Sequence, residues 1–163
     1  MIGKLFQRFG IAGMAAPDNY SGKANTDEFI SLKGGKHVTF IIRTGAWAAG
    51  TAAVTLQQAP VVAGTDAKAL AFSQFFSDEV TDGIYAEIAA TNPGLANATF
   101  NLDTANKTYI VEVDASELDV NGNFDCINIH VATPGANADY YSIIAITSDI
   151  RYSGNPNENL LVD

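Results

Sequence analysis

The amino-acid sequence predicts an all-β fold, an antiparallel sandwich of jelly-roll type. Three observations carry that prediction. Alternating apolar and polar residues recur in stretches of about six to twelve residues, which suits strands with one buried face. The stretches are punctuated by Gly, Asn and Pro turn signals. Few charged or reactive residues interrupt them: charged residues make up 17% of the 163-residue chain and hydrophobic residues 47%.

The firm strands are His37–Thr44, Ala53–Ala59, Leu70–Phe76, Lys107–Asp114, Phe124–Ala132 and Tyr140–Arg151. In Val38-Thr39-Phe40-Ile41-Ile42, the residues Val38, Phe40 and Ile42 share one face, and Ile41 makes the other face partly apolar. Ala53-Val54-Thr55-Leu56-Gln57-Gln58 alternates more cleanly, as do Tyr109–Val113 and Ile127–Val131. Tyr141-Ser142-Ile143-Ile144-Ala145-Ile146 is apolar on both sides, which predicts a central strand. Phe72, Phe75 and Phe76 are assigned to the core, although Phe75 and Phe76 point to opposite faces. Asp82–Ala90 is either strand or helical turn. Asp114–Leu118 can hold one helical turn, with Ser116 as its cap. Asn121-Gly122 is a favoured two-residue hairpin turn. Counting firm and weak strands gives about eight, the number in a two-sheet jelly roll. No internal repeat or heptad pattern is present.

Residues Met1–Asn25 differ from the rest and are expected to form an extended N-terminal arm before a sandwich domain spanning Thr26–Asp163. Ile2, Leu5, Phe6 and Phe9 recur at three- and four-residue spacing, so one helical turn would align them on one face. Beyond them, Gly10, Gly13, Pro17 and Gly22 argue against a regular element. The arm docks on a neighbouring subunit or larger surface, or straps the domain's own core, with membrane anchoring a third reading behind both. An exposed apolar tip would be a liability in a monomer.

Composition narrows the function classes. The length suits one domain able to bury a core without staples. The charged fraction is below the usual quarter, a modest argument for a surface that meets other subunits. The net charge is −9, from 18 acidic residues against 9 Lys and Arg. A phosphate-binding surface needs clustered cations, and none follows the N-terminal segment, so nucleic acid is not an expected partner. The same sign argues against an anionic membrane, and no apolar stretch approaches the ~20 residues of a spanning helix. Lys4 and Arg8 break the first apolar run, so no targeting signal is expected and synthesis is placed in the cytoplasm. Cys126 is the single cysteine and cannot form an internal disulfide. It is expected as a small, half-buried strand residue.

The candidates for chemistry are few. Cys126 and His130 share one strand face, but residues four apart lie about 13 Å apart, too far for a thiol–imidazole hydrogen bond. That leaves His37, should another strand bring it close. Asp119-Val120-Asn121-Gly122-Asn123-Phe124-Asp125 places oxygen side chains at alternate positions, like the start of a calcium loop. The bidentate Glu of such a loop would fall at His130. An ordinary turn explains the run better, and neither a metal nor another cofactor is expected. Trp47, Tyr140 and Tyr141 lie in or beside loops of small and polar residues. Such aromatics either stack on sugars or anchor an interface, or they cap the sandwich core.

Four blocks carry a resemblance. They are His37–Trp47 (His-Val-Thr-Phe-Ile-Ile-Arg-Thr-Gly-Ala-Trp), Gly50–Ala59, Tyr109–Asp119 and Pro134–Tyr141. Read together, they resemble small structural proteins of tailed bacteriophages and prophages that accompany the capsid genes. The similarity covers most of Asp27–Tyr152 and leaves the arm outside it. It implies a non-enzymatic virion component, a decoration or cement protein on the outer surface of the head. Such a protein bridges major capsid protein subunits and associates with itself, often as a trimer. Under that expectation Ile2, Leu5, Phe6 and Phe9 grip the shell. Two rivals stay open: a glycan-binding or adhesion module using Trp47, Tyr140 and Tyr141, and a head–tail joining or tail component.

Overall fold

A computed structural model describes residues 9–25, 28–33, 37–81 and 83–148, with the backbone alone at 79–81. The chain is all-β, two antiparallel sheets packed into a sandwich. Its strands are β1 (Gly10–Asn19), β2 (Ile30–Ser31), β3 (His37–Trp47), β4 (Ala52–Ala59), β5 (Lys68–Leu70), β6 (Gln74–Thr81), β7 (Ile84–Ala89), β8 (Phe100–Leu102), β9 (Thr108–Asp114), β10 (Cys126–Val131) and β11 (Asp139–Ser148). The larger sheet has the order β1-β11-β3-β9-β6-β7. The smaller runs β2-β10-β4-β5, and β8 also pairs with β4. The chain changes sheet at every connection except β4 to β5 and β6 to β7.

Period-two alternation decides what lies between the sheets. Val38, Phe40 and Ile42 of β3 meet Tyr109, Val111 and Val113 of β9 and Tyr141, Ile143 and Ala145 of β11 on the inner face, all buried. Val54 and Leu56 of β4, with Ile127, Ile129 and Val131 of β10, supply the opposing face. Phe100 of β8 reaches across, its ring stacked at 4.2 Å on Phe75 and 5.8 Å from Tyr109. The expected central position of 141–146 holds, because β11 lies between β1 and β3.

Several boundaries differ from expectation, each for a physical reason. The run 70–76 is two strands, since Leu70, Phe72 and Phe75 are all buried. On one continuous strand Phe75 would point away from the other two, so the chain leaves the smaller sheet after Leu70 and joins the larger at Gln74. Residues 84–89 of the ambiguous stretch form β7. The turn at Ala115–Glu117 is a 3₁₀ turn capped by Asp114 and not by Ser116; the Asp114 backbone N–H donates to Glu117 Oε1 at 3.0 Å. Asn121-Gly122 makes no hairpin, because β9 and β10 belong to different sheets. It forms a 3₁₀ turn, Val120–Gly122, capped by Asp119 and ended by Asn123 in the left-handed region (φ 62°).

The largest correction concerns the N-terminal region. The boundary expected at Asn25 falls inside the sandwich, because residues 10–19 form an edge strand paired along β11 from Gly10–Thr147 to Asn19–Tyr140. Register shifts follow Gly13 and Ala15. An edge strand tolerates Gly and Pro17, since among the described residues one side of its ladder carries no partner strand. Met14 is buried, and Tyr20 stacks on Tyr141 with ring centroids 3.9 Å apart. Asn25, buried itself, clamps β10: its side chain donates to Ile129 O and accepts from Val131 N–H. Further on, Phe29 lies over Cys126, Ala59 and Val62 outside the smaller sheet. Cys126 is therefore fully buried, beyond the half-burial expected of it.

Candidate interaction surfaces

The predicted site residues do not gather at one place. Ile2, Leu5 and Phe6 of the expected docking segment lie outside the described residues. Phe9 immediately precedes β1 and is half-buried.

The aromatics divide. Trp47 ends β3 with its ring against the core, and its indole N–H donates to Gly50 O at 3.1 Å. The loop it closes is held tightly. Ala48 N–H donates to the buried Asp139 carboxylate at 2.7 Å. Gly50 has φ +98°, and a Cβ there would lie 2.5 Å from Pro134 O. Tyr141 is not available to a ligand, correcting its selection. It is 1% exposed under Tyr20, and burial pushes its phenol well above the ordinary tyrosine value. Tyr140 alternates to the other side and stands 41% exposed. Trp47 and Tyr140 thus face different sides of the larger sheet and make no shared stacking platform.

The titratable candidates are separated as well. His37 lies on the outer side of the larger sheet. Its Nδ1 is 3.1 Å from Asp114 Oδ1, and its Nε2 is 3.7 Å from Glu112 Oε1. Cys126 lies in the other sheet, beneath Phe29, so His37 does not supply it with a base. His130 points outward beside Thr55, its cross-strand partner on β4. Among the described residues no group of three or more His, Cys, Asp or Glu is arranged to hold a metal ion.

In the loop resembling the start of a calcium site, Asp119 is already engaged. Its carboxylate accepts from Gly122 N–H and from Lys68, whose ammonium also lies 4.0 Å from the centre of the Phe124 ring. The Lys68 hydrogen bond, then the Gly122 N–H, hold Asp119 below the usual aspartate value. A carboxylate with a depressed folded-state pKa stabilises the fold above its unfolded value, and that contribution disappears as pH falls through the folded value. Lys68→Met is therefore expected to raise the Asp119 titration midpoint towards that of a free aspartate. Carboxyl-detected NMR checks this, and an unmoved midpoint would refute the pairing. The group is on the surface, so little change in melting temperature is expected at neutral pH.

The surface carries one signal that the sequence contained but did not resolve. Ile11, Ile84, Tyr85, Leu95, Val120 and Ile144 join Tyr140 as large exposed apolar side chains. Ile84 reaches 62% exposure and Ile144 45%. The clue for Ile144 was apolar residues at both parities of 141–146, but only the register says which parity faces out. No protein-family model matches the chain, and no curated protein matches it.

Proposed function

We propose that the chain is a non-enzymatic structural protein of a tailed-phage virion, a decoration or cement protein on the outer surface of the head. The observation that carries this reading is the set of exposed apolar side chains, among them Ile84, Val120, Leu95 and Ile144, on a sandwich of net charge −9. Exposed apolar surface gathered into patches marks a contact with another protein. Strong acidity suits the exterior of a shell better than its DNA-facing interior, where like charges repel.

The major capsid protein is the proposed partner, together with further copies of this chain. Cementing follows from linkage. Contacts made across joints between shell subunits exist only in the assembled particle, so each bound copy shifts the equilibrium towards the intact shell. The apolar residues Ile2, Leu5, Phe6 and Phe9 remain the proposed grip on the shell. Tyr141 is lost to the rival glycan platform, and Trp47 and Tyr140 point apart, so that reading has less support.

The test is co-sedimentation with shells assembled from the major capsid protein proposed as its partner. Full-length protein should saturate the shells and raise their melting temperature. Deleting residues 1–8 removes Ile2, Leu5 and Phe6 of the proposed grip while keeping β1 and Asn25, and should lower occupancy by about tenfold or more, the scale of losing interface anchors. No shell binding by the full-length protein would end the proposal. Undiminished binding by the truncated protein would end the role of the segment. Binding confined to a single ring at the portal would favour a head–tail component.

A further inference from the structure

Asn121-Gly122 is the one Asn-Gly pair in the sequence, and the 3₁₀ turn that holds it shows why glycine stands there. A Cβ on residue 122 would lie 2.7 Å from Asp119 Oδ2 and 3.1 Å from the Phe124 ring. Neither neighbour is free to yield, because Lys68 packs over the ring and also binds the carboxylate. No side chain therefore fits at position 122 without displacing the contacts that build the turn.

The pair brings a chemical liability. Glycine leaves its own amide nitrogen unshielded, and that nitrogen can attack the side chain of a preceding asparagine. In this reaction the Gly122 nitrogen gives up its proton to water or hydroxide and bonds to Asn121 Cγ. The Asn121 side-chain nitrogen leaves as ammonia, and a five-membered succinimide results. Water then opens either carbonyl of the ring, giving aspartate or isoaspartate. The sequence of steps consumes one water and releases one ammonia. Asn121 and Gly122 are both exposed, so solvent reaches them.

Two features of the turn oppose the attack. The Gly122 N–H donates to Asp119 Oδ1 and to Asp119 O, each at 3.0 Å. Removing that proton would set negative charge against a carboxylate and break a charge-assisted hydrogen bond. Ring closure also needs Asn121 Cβ and the Gly122 nitrogen nearly eclipsed about the Cα–C bond between them. A 3₁₀ turn has ψ of about −20 to −30°, which keeps them well apart. The carboxylate is itself fixed. Asp119 Oδ2 accepts from Lys68 of β5 at 2.5 Å, and the Asp119 backbone N–H donates to the side chain of buried Gln58 at 2.8 Å. The Asn123 and Phe124 N–H groups then close the turn on Val120 O and Asp119 O.

We propose that Asn121 is a deamidation site of this chain and that Asp119, held by Lys68, keeps it closed in the folded protein. Once the turn opens, the change is not undone by refolding. Isoaspartate inserts an extra backbone atom that the turn has no room for. Either product adds a carboxylate beside Asp119, whose charge repels it. The inference depends neither on a shell nor on any other partner.

The full chain is incubated at mildly alkaline pH and body temperature, and Asn121 is followed by peptide mapping with mass spectrometry. Native wild type should convert more slowly than the same chain unfolded in guanidinium chloride, by about tenfold or more, the scale of one hydrogen bond to a charged group. Asp119→Ala should restore most of the unfolded rate, and Lys68→Met should fall between the two. Two checks keep lost folding from imitating the effect. The circular dichroism spectrum should be unchanged, and Cys126, sealed under Phe29, should stay closed to a thiol reagent. Should Asp119→Ala fail these checks, Lys68→Met carries the test, since Lys68 is exposed. Native wild type reacting as fast as the unfolded chain overturns the proposal. A folded Asp119→Ala no faster than wild type does so too, and a slower one would make Asp119 the base that starts the attack. Lys68→Met at the wild-type rate would overturn the part assigned to Lys68.

Discussion

Replacing Phe100 with alanine is expected to destabilise the fold by about 3–5 kcal/mol, the range for removing a buried aromatic ring. Phe100 sits on a three-residue strand that pairs only with β4 among the described residues. Its importance lies in where the ring goes. It is stacked on Phe75 of the larger sheet, edge-on to Phe72 at 6.1 Å, and near Tyr109. One side chain thus bridges the two sheets, and the strand is too short to refill the gap by shifting. Urea unfolding should show a lower midpoint with an unchanged slope. Phe76→Ala serves as the contrast, because Phe76 stands on the outer face and is only half-buried. Equal losses for the two variants would mean that the inner aromatic cluster does not hold the sheets together.

Asn25→Ala should come second, at about 2–4 kcal/mol. The side chain answers two backbone groups of β10, donating to Ile129 O at 2.9 Å and accepting from Val131 N–H at 2.6 Å. Its own backbone N–H donates to Val131 O at 3.3 Å. Alanine leaves the two side-chain partners buried without those bonds, at roughly 1–3 kcal/mol each when unsatisfied. Asn19→Ala is the control, since the Asn19 side chain accepts from Ser21 N–H at the exposed end of β1. Thermal unfolding of both variants separates the cases. A loss at Asn25 no greater than at Asn19 would return residues 10–25 to the status of a loosely attached arm. The same geometry governs truncation: removing residues 1–25 takes away an edge strand and this clamp together, so a shell-binding defect after that deletion would not report on the segment 1–8 alone.

The candidate surface was only partly legible. Trp47 and Tyr140 were visible as loop-side aromatics, but adjacent residues on a strand point to opposite faces. Nothing local says that Tyr141, and not Tyr140, is the one covered by Tyr20. Gly10, Gly13 and Pro17 read as breakers because propensity describes an isolated segment. At a sheet edge they are harmless once β11 supplies partners on one side. Asp119-Val120-Asn121-Gly122 had the composition of a hairpin turn, and only the move of the chain from one sheet to the other turned it into a 3₁₀ bend.

The amino-acid sequence alone determined the β class, the strands at 37–47, 52–59, 108–114, 126–131 and 139–148 to within a few residues, and the acidic, charge-poor character. Each of these is local, a matter of period-two burial and turn chemistry within a single segment. The tertiary structure decided that residues 10–25 belong to the sandwich, that Cys126 is sealed under Phe29, and that Ile144, Ile41, Ile110 and Phe76 line up across β11, β3, β9 and β6. Those facts depend on which strands pair and in what register. A one-residue slip on any of them would turn its outward side chains inward, so that outer row exists only once distant parts of the chain have met.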